Sequence, residues 1–121
     1  SENEKLKLKC LLGILNSKVV QYYLHSISPL KQGGYYSYSS TFIDAVPIPE
    51  QLMNKDYEKT NELLKSVQDV LAENKKLSTI KLDSDKTSIQ RKIKYLDDKI
   101  NSLAYEFYNL TQEEIAIVEW N

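Results

Sequence analysis

Residues able to do chemistry are few in this chain, and their spacing argues for binding over catalysis. There is one histidine, His25, and one cysteine, Cys10. One of each cannot close a zinc site, and neither has a nearby residue that completes a nucleophile, base and orienter set. Cys10 stands among Leu8, Leu11 and Leu12, the setting of a buried structural thiol. The pairs Asp97-Asp98 and Glu113-Glu114 read as a solvated helix face and a favourable first helical turn. Gly33-Gly34 lacks the spacing of a dinucleotide or P-loop cradle. The run Lys31-Gln32-Gly33-Gly34-Tyr35-Tyr36-Ser37-Tyr38 stands apart. It places a cation for phosphate, an amide able to meet adenine edges, a pliant backbone and three phenols in one short stretch. A structural use competes: the glycines form a tight turn, Tyr36 and Tyr38 share one face, Tyr35 takes the other, and one set packs inward.

The elements that must position this run follow from periodicity. Leu8, Leu11, Leu12, Leu15, Val19, Tyr22 and Tyr23 recur at helical spacing, predicting helix over 6–27 with a break at Asn16-Ser17 and Ser17 as N-cap of the second piece. Glu2 to Lys5 reads as a frayed start. Pro29 and Gly33-Gly34 end the helical pattern, Tyr35 to Tyr38 has the aromatic content of a short strand, and Ser39 or Ser40 suits the cap of one turn through Thr41 to Asp44. Residues 46–49, Val-Pro-Ile-Pro, must be extended, because each proline disfavours helix at the residue before it.

Beyond them, Tyr57, Leu63, Leu64, Val67, Val70 and Leu71 predict a helix from about Lys55 to Leu77. A second runs from about Lys86 to Tyr108, with a cap at Asp83 or Asp85 and a seam of Ile89, Ile93, Leu96, Ile100, Leu103, Phe107 and Leu110. Joined by a short connection, the two form an antiparallel hairpin. Thr111 and Glu114 make a capping box for a last helix over 112–119, which Ile115, Val118 and Trp120 fold back on the hairpin. The expected fold is therefore mainly α, with a minor β element: N-terminal helices with a short strand and turn, a long hairpin and a short C-terminal helix.

Four separated phrases resemble one known family. They are Leu15-Asn16-Ser17, Gly33-Gly34-Tyr35, Val46-Pro47-Ile48-Pro49, and Leu103-Ala104-Tyr105-Glu106-Phe107-Tyr108-Asn109-Leu110-Thr111-Gln112-Glu113-Glu114-Ile115. Together they span nearly the whole chain and are similar to the TaqI-like C-terminal specificity domain, which ends the target-recognition part of many adenine-N6 DNA methyltransferases, including type IIG restriction enzymes. The Pro49-Glu50-Gln51 step also resembles the exit from recognition domains in type I specificity subunits. One departure is Asn109, where the family phrase has glycine; asparagine is the next residue to tolerate a left-handed cap.

The resemblance implies that residues 1–52 are the C-terminal part of a DNA target-recognition domain and that 53–121 form a spacer or docking hairpin with a closing helix. It implies double-stranded DNA as partner, through Lys31, Gln32, Gly33, Gly34, Tyr35, Tyr36 and Tyr38, and an upstream methyltransferase domain in the same polypeptide. No Asp/Asn-Pro-Pro-Tyr/Phe motif occurs, so the fragment is expected to be non-enzymatic and to hold no cofactor. S-adenosylmethionine, and Mg2+ if a nuclease is fused, are implied for the parent enzyme. The alternative from another class is a helical interaction module whose 86–110 seam pairs with another chain as a coiled coil and touches no DNA.

Composition limits these readings. At 121 residues the chain suits one module, and 16 basic against 17 acidic residues give a net charge of −1, no global mark of a nucleic-acid binder. The charge is uneven. Lys5, Lys7, Lys9, Lys18 and Lys31 outnumber Glu2, Glu4 and Asp44 in 1–49, whereas acids dominate 83–121, so a DNA-facing surface belongs to the first half. A single cysteine, no secretion signal and no membrane-length apolar run suit a reduced, cytoplasmic setting.

Overall fold

The computed structural model describes residues 2–27, 45–54 and 56–120. The described residues contain five α-helices and one 3-10 turn, and no strand: α1 (Glu2–Leu15), α2 (Lys18–Ile27), the turn Glu50–Met53, α3 (Glu58–Leu77), α4 (Asp83–Phe107) and α5 (Gln112–Trp120). The mainly α class is thus as expected. The strand expected at Tyr35 to Tyr38, the breaks at Pro29 and Gly33-Gly34 and the turn through Thr41 to Asp44 lie outside the described residues.

The α3–α4 pair is the antiparallel hairpin that the periodicity predicts. Two ion pairs cross it, Lys59 to Glu106 at 3.4 Å and Lys92 to Glu73 at 2.9 Å. From 59 to 73 on one helix and from 106 to 92 on the other, the same number of residues is traversed, so both pairs belong to one register. Glu73 is 5 % exposed, and the hydrogen bond from Lys92 holds its carboxyl below the usual range, against the opposing effect of desolvation. Exposed surface pairs contribute little to stability. A buried carboxylate is different, because one left without its partner is costly, so this pair opposes any slip of α3 along α4.

One core joins helices α1 to α4. Cys10 and Ile14 of α1, Val20 and Leu24 of α2, Val46 before the 3-10 turn and Leu52 within it, Leu63 and Val67 of α3, and Ile100, Leu103, Ala104 and Phe107 of α4 form a single cluster. Segments 1–52 and 53–121 therefore share their apolar interior. Phe107 meets the Tyr57 ring edge to face at 5.6 Å and 74°. Gly13 lets α1 come close: a Cβ there would lie 2.6 Å from Cγ2 of Val67 and 3.3 Å from Cδ1 of Leu63.

Several local expectations are met in detail. The helix breaks at Asn16-Ser17, where the Asn16 amide donates to the Leu12 carbonyl at 2.9 Å and the Ser17 hydroxyl to that of Ile14 at 2.6 Å. Asn109 takes φ 55°, and bonds from Leu110 N–H to the Tyr105 carbonyl and Asn109 N–H to that of Glu106 complete a Schellman cap. The capping box forms in both directions, Glu114 N–H to Thr111 Oγ1 at 3.2 Å and Thr111 N–H to Glu114 Oε1 at 2.8 Å.

Other expectations need correction. Helix α1 is helical from Glu2, with no frayed turn at Glu2 to Lys5; Glu2 and Glu4 sit where carboxylates favour a helix start. Its buried face is Cys10, Gly13 and Ile14, while Leu8 and Leu12 are exposed, as are Tyr22 and Tyr23 on α2. Reading one stripe across the Asn16-Ser17 break misphased the two helices. Ser17 points its hydroxyl back to α1, and the first N–H of α2, that of Lys18, is held by Oδ1 of Asn101 at 2.8 Å. Helix α3 starts at Glu58 because Asn54 Oδ1 accepts from Asp56 N–H, holding the preceding residues in a turn. The cap position of α4 is Leu82, and Asp83 and Asp85 lie in its first turn. Trp120 does not fold back: it is 90 % exposed, and α5 is held instead by Val118 and by the Tyr105 hydroxyl donating to Glu119 Oε2 at 3.3 Å.

Two outcomes are expected. Gly13→Ala forces the added methyl against buried, β-branched Val67, and destabilises by about 1–3 kcal/mol from overpacking, offset by at most about 1 kcal/mol of helix propensity; thermal melting reads a lower Tm. Because the folded-state pKa of Glu73 is depressed below 4.5, its contribution is present above the unfolded value and lost as pH falls through the folded one. Glu73→Gln therefore lowers the Tm at neutral pH, and the gap from wild type closes in acid.

Candidate functional site

The residues singled out for DNA contact, Lys31, Gln32, Gly33, Gly34, Tyr35, Tyr36 and Tyr38, lie outside the described residues. What the structure describes is the base from which segment 28–44 departs and to which it returns. Helix α2 leads out, ending at Ile27, and residues 45–49 lead back. The Tyr23 hydroxyl, one turn before the end of α2, donates to the carbonyl of Ala45 at 3.3 Å. The two ends are thereby held side by side.

The returning strap is also fixed by a residue far along the chain. Pro49 has φ −59° and ψ 132°, the extended conformation that proline favours. Val46 is buried at 6 % exposure and Leu52 at 1 %, so an apolar anchor lies on each side of the two prolines. Tyr108, in the last turn before the Schellman cap, donates its hydroxyl to the Pro47 carbonyl at 2.7 Å. Proline offers no N–H, and the phenol supplies the partner that its carbonyl needs. Beneath the strap, Val19, Val46, Pro47 and Tyr108 enclose part of an apolar cavity of about 160 Å3. Burial pushes the Tyr108 hydroxyl up to about 12. Tyr105, buried one turn earlier and facing the Glu119 carboxylate, is likewise pushed up to about 12.

Two wider grooves flank this base. One, of about 620 Å3, lies at the α1–α2 break, with Val67, Val70 and Ile93 on its floor and Asn16, Lys18 and Asp97 on its rim. Desolvation and the neighbouring Asp98 raise the Asp97 carboxyl, while Lys94 opposes the shift and binds Asp98 at 3.2 Å. Asp98 is thus ion-paired on the helix surface, while Asp97 at the groove rim is partly desolvated. The other groove, of about 680 Å3, runs between α2 and α5 and contains exposed His25 beside Lys18 and Tyr22. Cys10 is buried; its Sγ faces the Thr60 carbonyl at 3.9 Å, and burial raises its thiol. Among the described residues no group of three or more His, Cys, Asp or Glu side chains is placed to hold a metal, and no helix is long and apolar enough to cross a membrane.

Tyr23, Tyr108 and Asn101 escaped the sequence reading. Each acts through one polar atom reaching a backbone group far along the chain, and periodicity is blind to such contacts. The only available signal was that Tyr108 falls within one resemblance phrase and its acceptor, Pro47, within another. No family model, curated protein or solved structure matches the chain.

Both raised phenols favour the neutral form in the folded state, so their contribution is complete below the unfolded value near 10 and is lost as pH rises toward 12. Tyr108→Phe removes the Pro47 bond, costs about 1 kcal/mol at neutral pH, and shows a shallower loss of stability between pH 10 and 12 in chemical denaturation than wild type.

Proposed function

We propose that the chain is the C-terminal part of a DNA target-recognition module, from an adenine-specific modification methyltransferase or a restriction enzyme in which that methyltransferase is fused to a nuclease. The single observation that carries this reading is the ordered set of four phrases that resemble the TaqI-like specificity domain. Their placement supports it. Asn16 and Ser17 sit at the α1–α2 break, Val46 to Pro49 form the strap, and Tyr108 in the last phrase binds Pro47 in the third.

In this reading the helices are a scaffold, and segment 28–44 is what the scaffold presents. Lys31 anchors a phosphate, Gln32 meets a base edge, Gly33 and Gly34 let the backbone approach, and Tyr35, Tyr36 and Tyr38 stack or donate; any short strand there belongs to the same segment. The catalytic domain, with its S-adenosylmethionine and any Mg2+-dependent nuclease, lies upstream in the same polypeptide, and the hairpin docks against it. The coiled-coil alternative loses support because Leu96, Ile100, Leu103 and Phe107 of its seam are buried inside this chain. Pairing through them would open the core.

The test is duplex binding and site choice by the intact enzyme with S-adenosylmethionine, comparing wild type with Lys31→Ala, Gln32→Ala and Tyr36→Ala. Lys31→Ala weakens all duplexes alike, whereas Gln32→Ala costs about 1–3 kcal/mol at the preferred site and relaxes choice there. Unchanged affinity and preference in all three variants, with circular dichroism intact, sinks the assignment of this segment as the reader.

A further inference from the structure

Burial along the hairpin changes where α1 ends. In the part that α1 and α2 cover, the seam of α4 is closed, with Ile100, Leu103 and Phe107 all buried. Past the Asn16-Ser17 break the same seam is half open: Ile89 and Ile93 are half-buried, as is Val70 on α3, and Leu71 is 43 % exposed. The groove of about 620 Å3 lies at this step, and Gln90, Ile93 and Asp97 line it from α4. With Lys86 one turn further out, they stand at i, i+4, i+7 and i+11, a single row on one face of the helix. The row has a cation at one end, a carboxylate at the other and an isoleucine between. Among the described residues neither Lys86 nor Asp97 has an ion-pair partner; Lys94, beside them, binds Asp98 at 3.2 Å.

We infer that this row is the contact between two copies of the chain, paired antiparallel about a two-fold axis that passes between Gln90 and Ile93. Lys86 of each copy then meets Asp97 of the other, and Ile93 and Leu71 of both copies close an apolar centre. Self-complementarity is the first support. A two-fold interface sets one patch against itself, so that residue i meets j and j meets i. A row with opposite charges at its two ends satisfies that rule when one copy is reversed, and avoids the like-charge contacts of a parallel pair. Reach is the second. Eleven residues of helix separate the two charges by about 16.5 Å along the axis, so they cannot pair within one chain, whereas reversal makes both pairs at once. Level is the third. The register set by Lys59 with Glu106 and Lys92 with Glu73 puts Leu71 level with Lys94, near the middle of the row. The exposed leucine thus falls where two copies exclude most water. Desolvation, with Asp98 beside it, already disfavours the charged form of Asp97, and a cation from the second copy offsets that effect. A net charge of −1 leaves little long-range repulsion between copies. Ile100, Leu103 and Phe107 take no part, so each core stays closed. No part of this contact depends on the DNA-recognition reading.

The experiment is sedimentation equilibrium of the full chain over about 1–200 µM, where a small interface of micromolar affinity is read. Wild type is compared with Lys86→Glu, Asp97→Lys, the double variant carrying both, and Leu71→Glu. Lys65→Gln, at a side chain 76 % exposed on the outer side of α3, is the control. Expected for wild type is a reversible monomer–dimer equilibrium. Lys86→Glu and Asp97→Lys each weaken the dimer by at least about tenfold, because each change puts two like-charge contacts in place of two ion pairs. The double variant returns to within about threefold of wild type. The two positions are too far apart to touch in one copy, so only pairing between copies gives that rescue. Leu71→Glu abolishes the dimer, and Lys65→Gln leaves it as in wild type. Circular dichroism checks the helix content of every variant. A wild type that stays monomeric over the whole range overturns the contact. So does a dimer that neither Lys86→Glu nor Leu71→Glu weakens, because its interface lies elsewhere. Single reversals that weaken the dimer without rescue in the double variant overturn the antiparallel register.

Discussion

The fold depends on the close approach of α1 to the hairpin at Gly13. A helix of this length is marginal by itself and needs a packed face. That face is centred on Cys10, Gly13 and Ile14, set against Leu63, Val67 and Ile100. Because Gly13 has no side chain, the neighbouring Ile14 reaches 0 % exposure, and the end of α1 lies where α2 can turn back along α4. The Asn101 bond to Lys18, the course of α2 and the strap below it all follow from that placement. Were α1 displaced outward by the width of a methyl group, the capping contact from α4 would lose its geometry.

Much of this was legible in the residues, and what was not has a physical cause. Helix ends governed by local chemistry were readable: the Thr111–Glu114 box, the left-handed Asn109 and the break at Asn16-Ser17 each depend on atoms within a few residues of one another. The regular seam from Leu96 to Phe107 was readable too, since a repeated burial pattern leaves a repeated composition. The rotated face of α1 was not. Leu8 and Leu12 are as apolar as Leu11 and Leu15, and only the three-dimensional position of α3 decides which of them is covered. Glu73 shows the same limit from the polar side, for nothing in its neighbours distinguishes a buried carboxylate paired across the hairpin from a solvated one. In the candidate site, the segment bearing Lys31 and Tyr36 was marked out by residue type, whereas Tyr23 was hidden in a helical stripe and nothing in the pattern gave Tyr108 its distant acceptor.

The polar contacts divide by task. Those between helices, Lys59 with Glu106 and Lys92 with Glu73, set the register of the hairpin. Those from tyrosine hydroxyls, Tyr23 to Ala45 and Tyr108 to Pro47, fasten irregular backbone to regular helix. Such bonds contribute about 1 kcal/mol each, less than the apolar core does, but they are directional where the core is not. Holding irregular backbone such as residues 45–47 in one orientation needs the second kind. Helix α5, held by the Tyr105 hydroxyl and by Val118, keeps Ile117 and Trp120 exposed.

The fastening of both ends of segment 28–44 has an entropic consequence. When two points of a chain are already held together by the body of a protein, the entropic cost of joining them grows only with the logarithm of the length of chain between, about 0.6 kcal/mol for each doubling. The bond from Tyr23 to Ala45 holds one such pair of points, so a change in the number of residues between them costs little in closure entropy.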